Sequence, residues 1–195
     1  MVRWKHGGTW RAIALAAVAG GAAGAGCVAT EPVRAAEPPI LCEASYTNFA
    51  WTPVLIFTGI TRDGQVLHFD SRENTELRGF SLLNLALPDR PRGTDIAHRY
   101  VISSPTGAVV PRAVLDRITE LAAQARDGSV TREQRGADMG QRSLVCFVPL
   151  GDGSPRFETV LIRSDGDWEE RNTHPAAAEL AELLTPLLDP GSGAP

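Results

Sequence analysis

The stretch from residue 142 to residue 172 constrains the fold most, because it predicts three consecutive antiparallel strands. Residues 143–150 are apolar on both faces of a pleated strand, which is typical of a strand buried on two sides. On one face lie Leu144, Cys146, Val148 and Leu150, and on the other lie Val145 and Phe147. The runs 156–164 and 168–172 follow after short loops that contain glycine, as in hairpins. We therefore place residues 143–150 at the centre of a sheet.

A second hairpin is predicted around Asp63-Gly64, a dipeptide that favours tight two-residue turns. The flanking runs are residues 52–61 and 65–71. If Asp63 and Gly64 are the two turn residues, Ile60 faces Leu67 and Thr58 faces Phe69, and this register sorts the side chains onto two faces. The predicted core face holds Val54, Ile56, Ile60, Leu67 and Phe69, and the other face holds Thr61, Val66, His68 and Asp70.

Two segments show the periodicity of amphipathic helices, with apolar residues recurring three and four positions apart. The first covers residues 111–126, where Pro111 opens the helix and Gly128 closes it. The second begins near Thr173 or His174 and carries Pro175 in its first turn. Pro186 should kink or end this second helix, because proline lacks the amide hydrogen that the helix needs.

The remaining segments have weaker patterns. Residues 79–87 favour a strand over a short helix, residues 98–103 predict a strand, and residues 127–140 have no apolar period and predict a mobile loop. Together the elements predict an α+β fold in two layers. An antiparallel sheet of five to seven strands, built from hairpins, would carry both amphipathic helices on one face. This single domain would span residues 41–190.

The N-terminus has the pattern of an export signal over residues 1–27. Three basic residues precede an uncharged run, residues 12–26, that is rich in alanine and glycine. This run is short and glycine-rich for a permanent membrane span, and charge returns at Glu31. We therefore expect the mature protein to be exported.

Two processing routes remain open for this signal. Gly24-Ala25-Gly26-Cys27 resembles the bacterial lipobox. The resemblance implies lipidation of Cys27, which would make the mature chain a lipoprotein of the outer membrane or cell surface. Ordinary cleavage after Ala29 or after Ala35 would instead release it to the periplasm or the medium. Under either route residues 28–40, which contain prolines and no periodicity, predict a tether.

Charge narrows the range of partners. The whole chain has a formal net charge of −4, and the first 26 residues hold three of its 19 basic residues and no acidic ones, so the mature chain would be more acidic still. Nucleic acid is therefore not an expected partner. The same cut removes Lys5, the only lysine in the sequence. Without lysine the mature chain cannot form a Schiff base on a lysine side chain, and it has no lysine for a phosphate-binding loop.

Cysteine usage predicts one disulfide bond. Both processing routes take Cys27 out of contention, and the other two cysteines of the chain are Cys42 and Cys146. Exported domains meet an oxidising compartment, so we expect these two to be bonded to each other. The alternative is that Cys146, between Val145 and Phe147, is a small buried apolar residue.

Few residues suggest catalysis. His68 and Asp70 lie two apart on one strand face and could present an imidazole and a carboxylate to a metal ion or a water molecule. His98 and His174 would have to converge on them to complete a site. The acidic turns around Asp152 and over residues 165–170 could suggest calcium, but their spacing does not match an EF-hand loop. No cofactor is predicted.

We therefore expect an exported, non-enzymatic binding or interaction protein of the bacterial cell envelope, of which a protease inhibitor would be a special case. Its partner is an unknown protein or small ligand, and a lipid on Cys27 would be its link to a membrane. The alternative is a small metal-dependent or acid/base hydrolase that uses His68 and Asp70. The two hypotheses differ in the site they need: the enzyme needs polar side chains converging in a cleft, and the binding protein needs an exposed patch or an open sheet edge.

The missing lysine gives a direct test of export. A processed chain retains a single primary amine, its α-amino group, whereas the unprocessed chain also carries the amine of Lys5. An amine-reactive dye should therefore label the mature protein once, or not at all if its N-terminus is acylated. Intact mass spectrometry counts the labels. A soluble cytoplasmic protein that still begins with Met1 and takes up two labels would contradict export.

Overall fold

The computed structural model describes residues 39–50, 53–73, 85, 87–88 and 90–188. These residues form an α+β structure with one antiparallel eight-stranded sheet and three α-helices, so the expected five to seven strands were too few. The strands are β1 (Ile40–Asn48), β2 (Val54–Thr61), β3 (Gln65–Asp70), β4 (Ser104–Val109), β5 (Val130–Gln134), β6 (Gln141–Pro149), β7 (Phe157–Gly166) and β8 (Trp168–Asn172). The helices are α1 (Gly93–Tyr100), α2 (Arg112–Ala125) and α3 (Pro175–Leu188).

The sheet consists of two halves that meet at one ladder. Its strand order is β4-β3-β2-β1-β6-β7-β8-β5, so β1 and β6 are the two central strands. The predicted central position of residues 143–150 is therefore confirmed. Alternate residues of β6 enter two separate clusters of buried apolar side chains, because successive side chains of a strand point to opposite faces.

Helices α2 and α3 cover the first of these faces, as the sequence predicts. Leu115, Ile118 and Leu121 of α2 and Leu180 and Leu184 of α3 are buried in one cluster with the disulfide cysteines. The periodicity of both helices sets this packing, because their apolar stripes face the sheet. Pro186 lies inside α3. The helix extends to Leu188 and therefore does not stop at this proline.

Helix α1 lies on the opposite face, where no helix was predicted. The expected strand over residues 98–103 is wrong: α1 ends at Tyr100 and a turn follows. Ile96, Arg99 and Tyr100 are its buried residues, and this spacing of three and four is helical. The alternation of His98 to Ser103 resembled a strand because the period of a strand and the period of a helix cannot be told apart over so few residues. The sheet is thus covered on both faces, not on one as the two-layer prediction required.

The first hairpin has a different turn from the predicted one. Gly64 has a φ of +91°, and its N–H donates to the carbonyl of Thr61 at 3.0 Å. Strand β2 ends at Thr61 and strand β3 begins at Gln65, so the loop between them has three residues instead of two. A three-residue loop of this kind combines a turn with a left-handed residue, which suits glycine.

This extra loop residue shifts the register by one and moves side chains to the other face. Ile60 faces Val66 and Thr58 faces His68, not Leu67 and Phe69 as predicted. Leu67 and Phe69 therefore join the cluster on the α1 face. Ile60 and Val66 join the α2–α3 face, so the predicted partition of the hairpin is wrong although the hairpin itself is present.

Three strands were not predicted. β1 and β4 lie where no strand is predicted, and residues 127–140, expected to be a mobile loop, contain β5. All five residues of β5 and all six of β4 are exposed, so no apolar alternation marks them. Of the segment 79–87, only residues 85 and 87 lie within the described residues, and its predicted strand cannot be compared.

The predicted disulfide is present. Cys42 of β1 and Cys146 of β6 are direct partners in the central ladder, with their Cα atoms 4.0 Å apart and their sulfur atoms 2.05 Å apart. The bond spans 104 residues and ties the two halves of the sheet at their junction. The Cα separation is a little shorter than the 4.4–6.8 Å range of most disulfides.

Removing this bond should destabilise the protein. The double variant Cys42→Ala/Cys146→Ala loses the constraint on a long loop of the unfolded chain, and we expect its free energy of unfolding to fall by about 2–5 kcal/mol. Urea unfolding followed by circular dichroism measures the difference. The wild-type protein, denatured without reductant, should take up no thiol reagent at either position. A double variant as stable as the wild type would contradict this role.

Candidate functional site

An open pocket of about 360 Å³ lies at one end of the central strands. It is formed where the end of β1, the start of β6, the loop before β6 and the turn after β7 come together. The central ladder brings these segments to one place, because Thr47 pairs with Gln141 and Gln141 pairs with Gly166. The lining residues are Thr47, Asn48, Phe49, Ala50, Asp138, Gly140, Gln141 and Asp167.

Main chain forms much of this region. Asp167 donates its N–H to the carbonyl of Gly140 at 3.1 Å, and its own carbonyl accepts from the N–H of Arg135 at 2.9 Å. A Cβ on Gly166 would lie 1.9 Å from the carbonyl oxygen of Gly140, so no side chain fits at this crossing. The two loops therefore touch backbone to backbone, and this contact positions Gly140 and Asp167 beside the pocket that they line.

Two carboxylates give the pocket its charge. Asp138 has a φ of 63°, a left-handed conformation that aspartate tolerates better than most residues. Oδ1 of Asp167 accepts a hydrogen bond from the N–H of Met139 at 2.8 Å. Among the described residues neither carboxylate forms an ion pair, although the nearby Glu169 is paired with Arg135. The pocket thus offers two carboxylates that no ion pair among the described residues neutralises.

Apolar surface lies close to these charges. Phe49 is 50% exposed and lines the pocket, and Met139, between two lining residues, is 58% exposed. Both belong to the small set of large apolar side chains that the described structure leaves in water. A carboxylate pair beside an exposed aromatic ring suits a ligand that carries a cation on an apolar body, because the ring face also attracts cations.

The structure brings His68 and Asp70 onto one face of β3 but gives them different partners. Nδ1 of His68 and the hydroxyl of Thr58 are 2.9 Å apart. Asp70 is buried, and its carboxylate accepts hydrogen bonds from Nε and Nη2 of Arg72 at distances of 2.6–3.1 Å. Burial alone would raise the pKa of Asp70, but the hydrogen bonds and the charge of Arg72 outweigh it and hold the pKa below its ordinary value of 3.8.

The other predicted ligands do not join these two residues. His98 lies exposed on α1, on the opposite side of the sheet. His174 precedes α3, where its Nδ1 accepts from the N–H of Ala176 at 3.2 Å and so caps the helix. Within the described ranges no group of three or more His, Cys, Asp or Glu side chains could hold a metal ion.

The acidic turn over residues 165–170 is largely paired with arginines. Arg171 binds Asp165 at 2.6 Å, and these bonds hold the pKa of Asp165 below its ordinary value. Glu170 pairs with Arg132, whose guanidinium also lies 3.9 Å from the ring centre of Trp168. These contacts explain the cluster as a set of cross-strand ion pairs. Of the acidic residues in this turn, Asp167 is the one that lines the pocket.

A second polar cluster lies buried beneath α1. Arg99 Nη2 donates to Glu43 at 2.6 Å, and the hydroxyl of Tyr100 donates to the other oxygen of the same carboxylate at 2.8 Å. Burial raises the pKa of Tyr100 well above its usual value, and the charge of Glu43 raises it further, so Tyr100 stays a neutral donor. Arg99 Nε is buried without a hydrogen-bond partner in the described structure. The cluster joins α1 to the central strand β1.

Sequence reasoning missed the pocket, although part of its signal was present. The hairpin of β6 and β7 was predicted, and it places the loop before residue 141 beside the turn after residue 166. The contribution of Phe49 could not be inferred, because β1 was not predicted. Cys27, the predicted lipidation residue, lies outside the described residues.

No protein family, curated protein or solved structure matches this chain. In the part of the chain that the structure describes, no helix is long and apolar enough to cross a membrane. The assignment of function therefore depends on the geometry of the residues themselves.

The Asp70–Arg72 pair should contribute stability that depends on pH. Because the pKa of Asp70 is lower in the folded protein than its ordinary value, the contribution is complete above about pH 4 and is lost as the pH falls through the folded value. We expect Asp70→Asn to cost on the order of 1 kcal/mol at about pH 6 and clearly less at about pH 2.5. Urea unfolding at both pH values measures this. Asp116→Asn, in an exposed pair with Arg112, is the control; equal costs at both pH values for Asp70→Asn would contradict the assignment.

Proposed function

We propose that this protein is an exported, non-enzymatic binding protein of the bacterial cell envelope. The single observation that carries the proposal is the pocket at the end of the central strands, which combines two carboxylates that form no ion pair among the described residues with exposed apolar surface. The site is shaped by a sheet and by backbone contacts, and this rigidity favours recognition of a partner.

The chemistry of the pocket indicates the class of partner. Two carboxylates attract an ammonium or guanidinium group, and Phe49 provides apolar contact for the body that carries it. A lysine or arginine side chain on an exposed segment of another protein has this composition. A small organic cation with an apolar ring has it as well, so both can serve as probes.

Two features support an address outside the cytoplasm. The signal pattern of residues 1–27 remains the basis for export, with Cys27 as the lipidated residue if the lipobox route is used. The Cys42–Cys146 disulfide is compatible with an oxidising compartment. The part of residues 28–40 that precedes β1 would then act as the tether between the envelope and the binding domain, since Ile40 is the first residue of β1 and is buried.

Charge removal in the pocket should weaken retention of the partner. Asp138→Asn keeps a residue that tolerates positive φ, and Asp167→Asn keeps an oxygen that accepts from Met139, so each variant removes charge with little change in shape. We expect each to weaken binding by about three- to tenfold and the double variant to weaken it further. The full-length protein, tagged at its C-terminus and purified as the cell processes it, is used to capture partners from the cell envelope for mass spectrometry. Asp127→Asn, another exposed aspartate, is the control.

A small-molecule titration separates charge from shape in the same pocket. Benzamidine carries a planar cation on an aromatic ring, and benzamide is its neutral counterpart. Benzamidine should shift the amide NMR signals of Gly140 and Gln141 more than benzamide does, and the double aspartate variant should lose this difference. Equal shifts for the two compounds, or partner retention unchanged in both aspartate variants, would contradict the proposed site.

A further inference from the structure

The two edges of the sheet differ in how they are protected. Edge strand β4 contains Pro105, which cannot donate a main-chain hydrogen bond, and its register with β3 shifts between Gln65 and Leu67. Such features discourage another strand from adding to an edge. Edge strand β5 has neither, because its five residues pair with β8 in one unbroken register. All five are exposed, and β5 has no neighbour on its outer side in the described sheet.

The ladder shows which groups of β5 face outward. The carbonyl of Ser129 accepts from Thr173, and the N–H of Arg135 donates to Asp167, so the odd-numbered residues of this segment bond toward β8. In an antiparallel ladder the bonding direction alternates along the strand. The N–H and C=O groups of Val130, Arg132 and Gln134 therefore point away from the sheet.

We propose that β5 pairs with β5 of a second copy of this chain, antiparallel and around a twofold axis at Thr131. Val130 of each copy then faces Arg132 of the other, and their outward main-chain groups form four hydrogen bonds. Thr131 faces its own counterpart in a pair without main-chain bonds, an arrangement in which two threonines pack well. Ser129 faces Glu133, so no like charges are opposite each other.

Charge selects this register over its neighbours. An axis at Arg132 would place two arginines opposite each other, and an axis at Glu133 would do the same with two glutamates, which is unfavourable in cross-strand pairs. An axis at Val130 would leave less of the two strands overlapping. The guanidinium of Arg132 is held by Glu170 at 3.3 Å and lies over Trp168, so this side chain does not have to move to admit a second strand.

Such a dimer would join two eight-stranded sheets into one and would carry two copies of the pocket. The inference does not depend on the ligand of that pocket, because it uses only the edge strand and its ladder. Twofold pairing also limits growth to two copies. Each copy uses its β5 edge in the dimer, and the β4 edge carries a proline and a register shift.

Oligomeric state and register test the proposal together. We expect the full-length protein, purified as the cell processes it, to show a mass that rises to two copies with concentration in light scattering after gel filtration. Val130→Pro removes an outward donor and leaves the ladder to β8 intact, and Val130→Lys places a cation opposite Arg132. Each should raise the dimer dissociation constant by about tenfold or more. Val109→Lys, at an exposed valine of the other edge, should leave it unchanged.

Cysteine cross-linking tests the register. Under mild oxidation Thr131→Cys should form a disulfide-linked dimer, because the two residues meet at the axis, whereas Glu133→Cys should not. Thr106→Cys on β4 and the wild type give the background. A wild type that stays monomeric at every concentration, even if a segment of another protein binds the β5 edge, would overturn the proposal. Equal cross-linking at positions 131, 133 and 106 would overturn it as well.

Discussion

The structure depends on the ladder between β1 and β6. Strands β1 to β4 form one half of the sheet, and strands β5 to β8 form the other, and within each half the pairing is between strands that are mostly near in sequence. The two halves meet in the sheet only where β1 pairs with β6. Closing this ladder orders a long stretch of chain, which carries a large entropy cost. The disulfide at one end of this ladder offsets part of that cost by restricting the unfolded chain.

Burial of this junction on both faces determines what surrounds it. Helices α2 and α3 cover one face with a continuous apolar cluster, whereas α1 covers the other and brings Arg99 and Tyr100 against Glu43 of β1. A carboxylate buried on a central strand would be costly if it were unpaired, and two donors from one short helix satisfy it. We interpret these bonds as contacts that fix the position of α1, since Arg99 and Tyr100 both donate to the one carboxylate of Glu43.

Sequence patterns predicted the elements whose burial is periodic. β6, α2 and α3 each bury a regular set of apolar residues, so local sequence was sufficient for their type and for the pairing of the two helices on one face. β5 could not be predicted because its five residues are exposed and carry no alternation, and α1 was misinterpreted because residues 98–103 fit two periods. The register predicted for the hairpin at Asp63-Gly64 was wrong by one residue, because the same dipeptide also fits a three-residue loop. That single residue exchanges the two faces of β3. The disulfide was predictable without any structural pattern. Both processing routes take Cys27 out of contention, and the two cysteines that are left would meet an oxidising compartment.

The contact between Gly140 and Gly166 limits how the pocket can change during evolution. The two loops beside it cross as main chain, and a Cβ on Gly166 would lie 1.9 Å from the carbonyl oxygen of Gly140, so the crossing leaves no room for a side chain. A substitution at Gly166 would therefore separate the loops that carry Gly140 and Asp167. A new preference could therefore arise only at the rim, at positions such as Phe49 and Asp138, where side chains change without moving the strands. Related chains would be expected to keep the cavity and to differ in what it accepts.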